Sequence, residues 1–259
     1  MTSANPQLAL QLRLLLPISG LAAGFSLGFI QLPGLLAGVL LIGWLLFAQA
    51  RVAEGVWATV SLLGCLALAA HLLPGFTPSP LWPVRQLSDD AAPYALRLSW
   101  DKLLVGLALL AWWLGEKTPS RTLNYRVWLT AGFTLLCVPL MALALGLVAW
   151  QPKWPEQLWL WLAVNLGVAV LAEELLFRGL LQTRLVSWLG AGAGIGLTSL
   201  LFALVHIPFS PLFALVAGIA GLGYWLIFHF SGRISLAIAL HIAVNLLHLL
   251  LLSYPLRIT

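Results

Sequence analysis

The chain has 259 residues, of which 61% are hydrophobic and only 8% are charged, and its formal net charge is +5. Soluble domains average about 25% charged residues, so this composition and a mean hydropathy of +1.00 exclude an ordinary soluble fold. The lysines and arginines are scattered between apolar runs, without the basic patch that a nucleic-acid partner would require. We therefore predict an all-α, polytopic membrane helical bundle whose direct partner is the lipid bilayer.

The apolar runs give the predicted membrane spans. Because each span needs roughly 20 apolar residues, the chain has room for about eight, within a range of about seven to nine. In chain order the runs cover 14–31, 34–50, 55–73, 103–115, 127–150, 157–176, 192–207, 211–230 and 234–252. The first two are separated by Pro33-Gly34 and can form one helical hairpin. We expect a multi-pass integral membrane protein, located in a bacterial inner (plasma) membrane.

The chain is predicted to be one membrane-embedded unit with two functional parts. Residues 1–150 carry no chemical signature and are expected to form N-terminal transmembrane helices with a structured extramembrane loop at about 74–102. Several prolines and charged residues in that loop suggest an amphipathic piece on the bilayer surface. Residues 151–259 form the core that carries the motifs below. Cys65 and Cys137 fit no metal-binding spacing and are expected to be packing residues.

The first motif is Glu173-Glu174-Leu175-Leu176-Phe177-Arg178. An ionisable residue in an apolar membrane segment is by default a candidate functional residue. Glu174 and Arg178 are four residues apart and can pair on one helix face. Glu173 is about 100° further round the helix, so we expect it to remain unpaired and to act as a general base. The alternative is a charged helix end at the membrane surface.

The second motif joins Phe202 to His206, and the third joins His241 to Asn245. A lone histidine near a helix end is more often packed than catalytic, so His206 alone would be weak support. His241 and Asn245 share one face deep in an apolar helix, where polar residues either perform chemistry or hold helices together. The remaining histidines are expected to be interfacial or to pack: His71, His229 and His248.

Together the three motifs have the groups needed to hydrolyse an amide bond without a cofactor. Glu173 can take a proton from water with help from His206, and His241 and Asn245 can donate hydrogen bonds to an oxyanion. A metal-dependent membrane hydrolase remains an alternative, because two histidines and a glutamate bind zinc in several peptidases. The His-Glu-x-x-His motif of such enzymes is absent, however. A non-catalytic transporter or scaffold is the other alternative, although no internal repeat supports a transporter.

The order Glu-Glu-x-x-x-Arg, Phe-x-x-x-His and His-x-x-x-Asn resembles the CAAX protease and bacteriocin-processing family of intramembrane glutamic endopeptidases. The resemblance covers roughly residues 155–252 and implies an all-helical core acting on a membrane-associated protein or peptide substrate. It implies that Glu173 is the water-activating base with His206 as its partner, and that His241 and Asn245 stabilise the oxyanion. Bacterial members differ in substrate, so a prenylated substrate is not carried over. The resemblance assigns supporting positions to Glu174, Arg178 and Phe202.

The predicted spans impose one condition on this mechanism. At about 1.5 Å per residue, Glu173 lies near one end of span 157–176, and His206 lies near the opposite side of the membrane at the end of span 192–207. The two must act at one depth, so at least one boundary has to differ. Either the helix of Glu173 begins later, or the stretch from Gly190 to Gly196 belongs to a loop.

Overall fold

The structure is a computed structural model that describes residues 9–117 and 121–258. It is 69% helical, which confirms the all-α class. The helices are α1 (Leu10–Ser26), α2 (Leu32–Gly43), α3 (Glu54–Ala69), α4 (Trp100–Trp113), α5 (Tyr125–Ala144), α6 (Leu158–Val164), α7 (Leu171–Glu174), α8 (Thr183–Leu204), α9 (Pro211–Ser231) and α10 (Ile234–Leu251). Segments of π-helix follow α2, α6 and α7, at Trp44–Ala48, Asn165–Val170 and Leu175–Gln182. Two short strands, β1 (Ser79–Pro80) and β2 (Arg97–Leu98), pair antiparallel.

The chain is an integral membrane protein. Within the described residues, four helical runs are long and apolar enough to cross a membrane. They are Tyr125–Ala144, Leu158–Leu204, Pro211–Ser231 and Ile234–Leu251. Shorter apolar helices cover Leu10–Ser26, Leu32–Ala48 and Glu54–Ala69. The total of about eight spans and the bacterial inner membrane remain predictions.

The run Leu158–Leu204 differs from the predicted boundaries. The helix does not end at residue 176, because the charge of Arg178 is offset by Glu174 and the following residues continue the helical pattern. The stretch 190–196 is not a loop either, since only Gly190 leaves the helical conformation, with a φ of 79° that glycine adopts without strain. A Cβ on Gly194 would lie 2.7 Å from the backbone nitrogen of Val186, so the chain folds back closely on itself here. Glu173 therefore lies near the middle of the helical run 158–189.

Contacts divide the chain into two compact units, and the first comprises Met1–Leu81, Arg97–Pro119 and Val164–Leu181. Helix α4 is its centre, because α1, α2, α3 and α7 all pack against it. Helices α4 and α7 are in contact at Gly106, where a Cβ would lie 3.4 Å from the backbone nitrogen of Ala172. Helix α4 begins at Trp100, so the last residues of the predicted loop 74–102 form its first turn.

The second unit comprises Trp82–Leu96, Ser120–Ala163 and Gln182–Thr259. Helix α9 is its centre and packs against α5, α8 and α10. Outside the membrane spans, Asp90 accepts hydrogen bonds from Gln151 at 2.9 Å and Ser253 at 2.8 Å, and it pairs with Arg257 at 3.0 Å. Residues 70–99 contain no helix, and the structured extramembrane loop at about 74–102 remains a prediction. The functional division near residue 150 remains a prediction.

Candidate functional site

The predicted pair of Glu174 and Arg178 is present. Their side chains are 0% and 1% exposed, and Nη1 of Arg178 lies 3.2 Å from Oε1 of Glu174. Removing one partner of such a buried pair leaves an uncompensated charge, which is strongly unfavourable. The pair spans the start of a π-helical segment, a distortion that is frequent at functional sites. Glu174 and Arg178 therefore form a structural element beside Glu173.

Glu173 is not unpaired, contrary to the prediction. Its Oε1 accepts a hydrogen bond from Nζ of Lys102 at 2.7 Å, and the two side chains are 19% and 23% exposed. Lys102 lies in the first turn of α4, on a segment assigned to a loop from its prolines and charges. Spacing along one helix indicates only partners on that helix, and Lys102 is 71 residues earlier in the chain. The carboxylate of Glu173 is therefore an ion-paired group that water can still reach.

A second contact fixes the first turn of α4. Nδ1 of His71 lies 2.7 Å from Oδ2 of the buried Asp101, and the backbone N–H of Lys102 donates to Oδ1 of Asp101 at 2.8 Å. His71 has a φ of 60°, a left-handed conformation that is uncommon for residues other than glycine. The expectation that His71 only packs or lies at the interface missed this partner. Asp101 thus connects the end of α3 to the residue that pairs with Glu173.

His206 lies in the turn that follows α8, and its ring has a defined orientation. Nδ1 lies 2.7 Å from the carbonyl oxygen of Phe202. A carbonyl can only accept, so Nδ1 carries the hydrogen and Nε2 of the neutral ring carries the lone pair. The ring also lies 5.7 Å from the ring of Phe213. His206 can therefore offer Nε2 as a proton acceptor.

Phe202 joins the second and third motifs within the second unit. Its buried ring lies 4.7 Å from the ring of His206 and 6.3 Å from that of His241. His241 is also buried and stacks on Tyr224, with ring centroids 4.4 Å apart and an angle of 16°. Asn245 is partly buried one turn further along α10. The motif spacings did not indicate Tyr224, since it lies on α9 and belongs to none of the three motifs.

The seven predicted site residues fall into two sets. The first compact unit contains Glu173, Glu174 and Arg178. The second compact unit contains the residues of the other two motifs, which are Phe202, His206, His241 and Asn245. Their catalytic roles remain predictions. Across residues 9–117 and 121–258, no group of three or more His, Cys, Asp or Glu side chains is arranged to hold a metal ion.

Comparison with protein families gives an independent result for the region of the motifs. Residues 154–247 match the family model described as type II CAAX prenyl endopeptidase Rce1-like, and this segment contains all seven predicted site residues. No curated protein and no solved structure matches the chain. The match confirms the resemblance carried by the three motifs. Residues 154–247 of the chain are thus similar to the Rce1-like family of type II CAAX prenyl endopeptidases.

Proposed function

We propose that the protein is an intramembrane glutamate-dependent endopeptidase. It hydrolyses a peptide bond in a membrane-associated protein or peptide, and it needs no metal or other cofactor. One observation carries the proposal: Glu173 lies in the middle of an apolar helical run, partly accessible and next to the buried pair of Glu174 and Arg178. A carboxylate at such a position is energetically costly, and an ionisable residue within a membrane span is by default a candidate functional residue.

In the proposed reaction Glu173 and His206 activate a water molecule. Glu173 accepts a proton from the water, and the oxygen of that water attacks the carbonyl carbon of the scissile bond. His206 helps to orient the water through Nε2, which its hydrogen bond to Phe202 leaves as the acceptor nitrogen. The new C–O bond gives a tetrahedral intermediate whose former carbonyl oxygen carries a negative charge.

His241 and Asn245 are proposed to stabilise that oxyanion by hydrogen bonding. The stack on Tyr224 limits rotation of the His241 ring, and a fixed donor is more effective than one that must reorient during the reaction. Collapse of the intermediate breaks the C–N bond, and Glu173 returns its proton to the departing amine nitrogen. The carboxylate is thereby regenerated, and the supporting residues Glu174, Arg178 and Phe202 remain unchanged.

A comparison of protein termini identifies the substrate and tests the proposal. Membranes from cells that express wild-type, Glu173→Gln or His206→Ala protein are compared by mass spectrometry of protein termini, with exposed Glu156 replaced by Gln as a matched control. We expect a precursor to accumulate in the first two variants and to be processed in the wild type and the control. If Glu173→Gln processes every precursor as the wild type does, the proposal is wrong. Peptides with and without a prenyl group then test whether prenylation is required.

A further inference from the structure

We infer that Lys102 of α4 is a positioning residue for the proposed base, so that a helix outside the matched segment 154–247 completes the site. Its ammonium group fixes one orientation of the Glu173 carboxylate and offsets its charge. The inference rests on the proposed function, because it assigns Lys102 a role only through Glu173. Neither the three motifs nor the family match includes this residue.

The position of Lys102 is determined by the packing of α4. Helix α4 is the central helix of the first unit and contacts α7 directly. The two helices are in contact at Gly106 and Ala172, and Ala172 is one residue before Glu173. Nζ of Lys102 consequently reaches Oε1 of Glu173 at 2.7 Å, a charge-assisted hydrogen bond of normal length.

The first turn of α4 is itself anchored. Asp101 is buried, accepts the backbone N–H of Lys102 through one oxygen and contacts Nδ1 of His71 through the other. The backbone of Lys102 is therefore tied to a residue beyond the end of α3. A flexible lysine needs such support to hold another side chain in one place, because its own stem has several rotatable bonds.

Each glutamate of the first motif has a basic residue beside it. Glu174 pairs with Arg178, and both are almost fully buried. Glu173 pairs with Lys102, and both remain about one-fifth exposed. Partly exposed ion pairs contribute little to folding stability, whereas a buried pair is costly to break. We therefore expect loss of Lys102 to affect catalysis more than stability.

The test uses the purified full-length protein and a quenched peptide that spans the cleavage site mapped in the terminus comparison. Lys102→Met removes the charge, Lys102→Arg keeps it, and Lys117→Met removes the charge of an exposed lysine as the control. We expect Lys102→Met to lower kcat by about 10- to 100-fold, the effect of a misplaced catalytic group. KM and Tm should change little, Lys102→Arg should recover most of kcat, and the control should match the wild type.

Several outcomes would overturn the inference about Lys102 and leave the proposed function intact. These are a wild-type kcat for Lys102→Met, a rise in KM with kcat unchanged, or parallel losses of kcat and Tm that Lys102→Arg does not repair. If Lys102→Met does not accumulate, Lys102→Gln is measured with the same criteria, and failure of both variants to fold would show a structural role instead. An unchanged kcat in Glu173→Gln would refute the proposed function itself, whatever Lys102 does.

Discussion

The carboxylate of Glu173 lies 2.7 Å from the ammonium group of Lys102, although the two residues are 71 positions apart in the chain. The next residue, Glu174, pairs instead with Arg178, four positions later. Two adjacent carboxylates thus differ in both counter-ion and exposure. Such differences allow neighbouring acids to take different roles, one in chemistry and one in structure.

The buried pair should behave as a structural unit. Replacing Glu174 by Gln or Arg178 by Met leaves one charge buried without its partner, which costs about 3–5 kcal/mol. We expect each single variant to lower Tm strongly, measured by the intrinsic fluorescence of the detergent-solubilised protein. The double variant should recover part of the loss because it leaves neither charge behind. Wild-type Tm values for both single variants would contradict this account of the pair.

The reversal at Gly190 makes a prediction about two nearby glycines. A Cβ on Gly194 would lie 2.7 Å from the backbone nitrogen of Val186, whereas a Cβ on Gly196 would meet nothing within 4 Å. Gly194→Ala should therefore push the two segments apart and lower both Tm and activity. Gly196→Ala is the matched control and should be neutral or stabilising, since alanine is favoured over glycine in a helix by about 1 kcal/mol. Equal Tm values for the two variants would contradict the close crossing.

The aromatic ring of Tyr224 should contribute to activity because it stacks on the ring of His241. Aromatic pairs add about 0.5–1.5 kcal/mol beyond the area they bury, so Tyr224→Leu should lower kcat/KM by about 2- to 12-fold. Tyr224→Phe keeps the ring and should retain most of the activity. Steady-state hydrolysis of the mapped peptide distinguishes the two. Equal losses in Tyr224→Phe and Tyr224→Leu would show that the hydroxyl, which both variants lack, is required and not the stack.

Chelators separate the metal-independent mechanism from the metal-dependent alternative. Because the proposed reaction uses only side chains, EDTA and 1,10-phenanthroline should leave peptide hydrolysis unchanged, and the purified protein should contain less than one equivalent of zinc. Activity that is lost on chelation and restored by zinc would favour a metal-dependent membrane hydrolase. The same assay on Glu173→Gln provides the background rate.

The sequence predicted the features that are local in the chain. Apolar runs located most helices within a few residues, and the four-residue spacing predicted the Glu174–Arg178 pair. The apolar run predicts a span that ends at residue 176, but the helix continues because the charge of Arg178 is neutralised by Glu174 on the same helix.

Features that depend on distant parts of the chain could not be predicted from spacing. Lys102 belongs to a segment of prolines and charges that resembled a surface loop, and only the packing of α4 on α7 brings it to Glu173. The same holds for Tyr224, which reaches His241 from a different helix. Periodicity along one helix carries no information about which residue of another helix will lie opposite.

The central claim is that the carboxylate of Glu173 performs the chemistry. Its most direct test is the rate at which purified Glu173→Gln protein, folded with a wild-type Tm, cleaves the mapped peptide. General-base catalysis contributes about 10²- to 10⁴-fold, so we expect kcat to fall by at least about 100-fold with little change in KM. A Glu173→Gln protein that cleaves the peptide at the wild-type rate would contradict the claim.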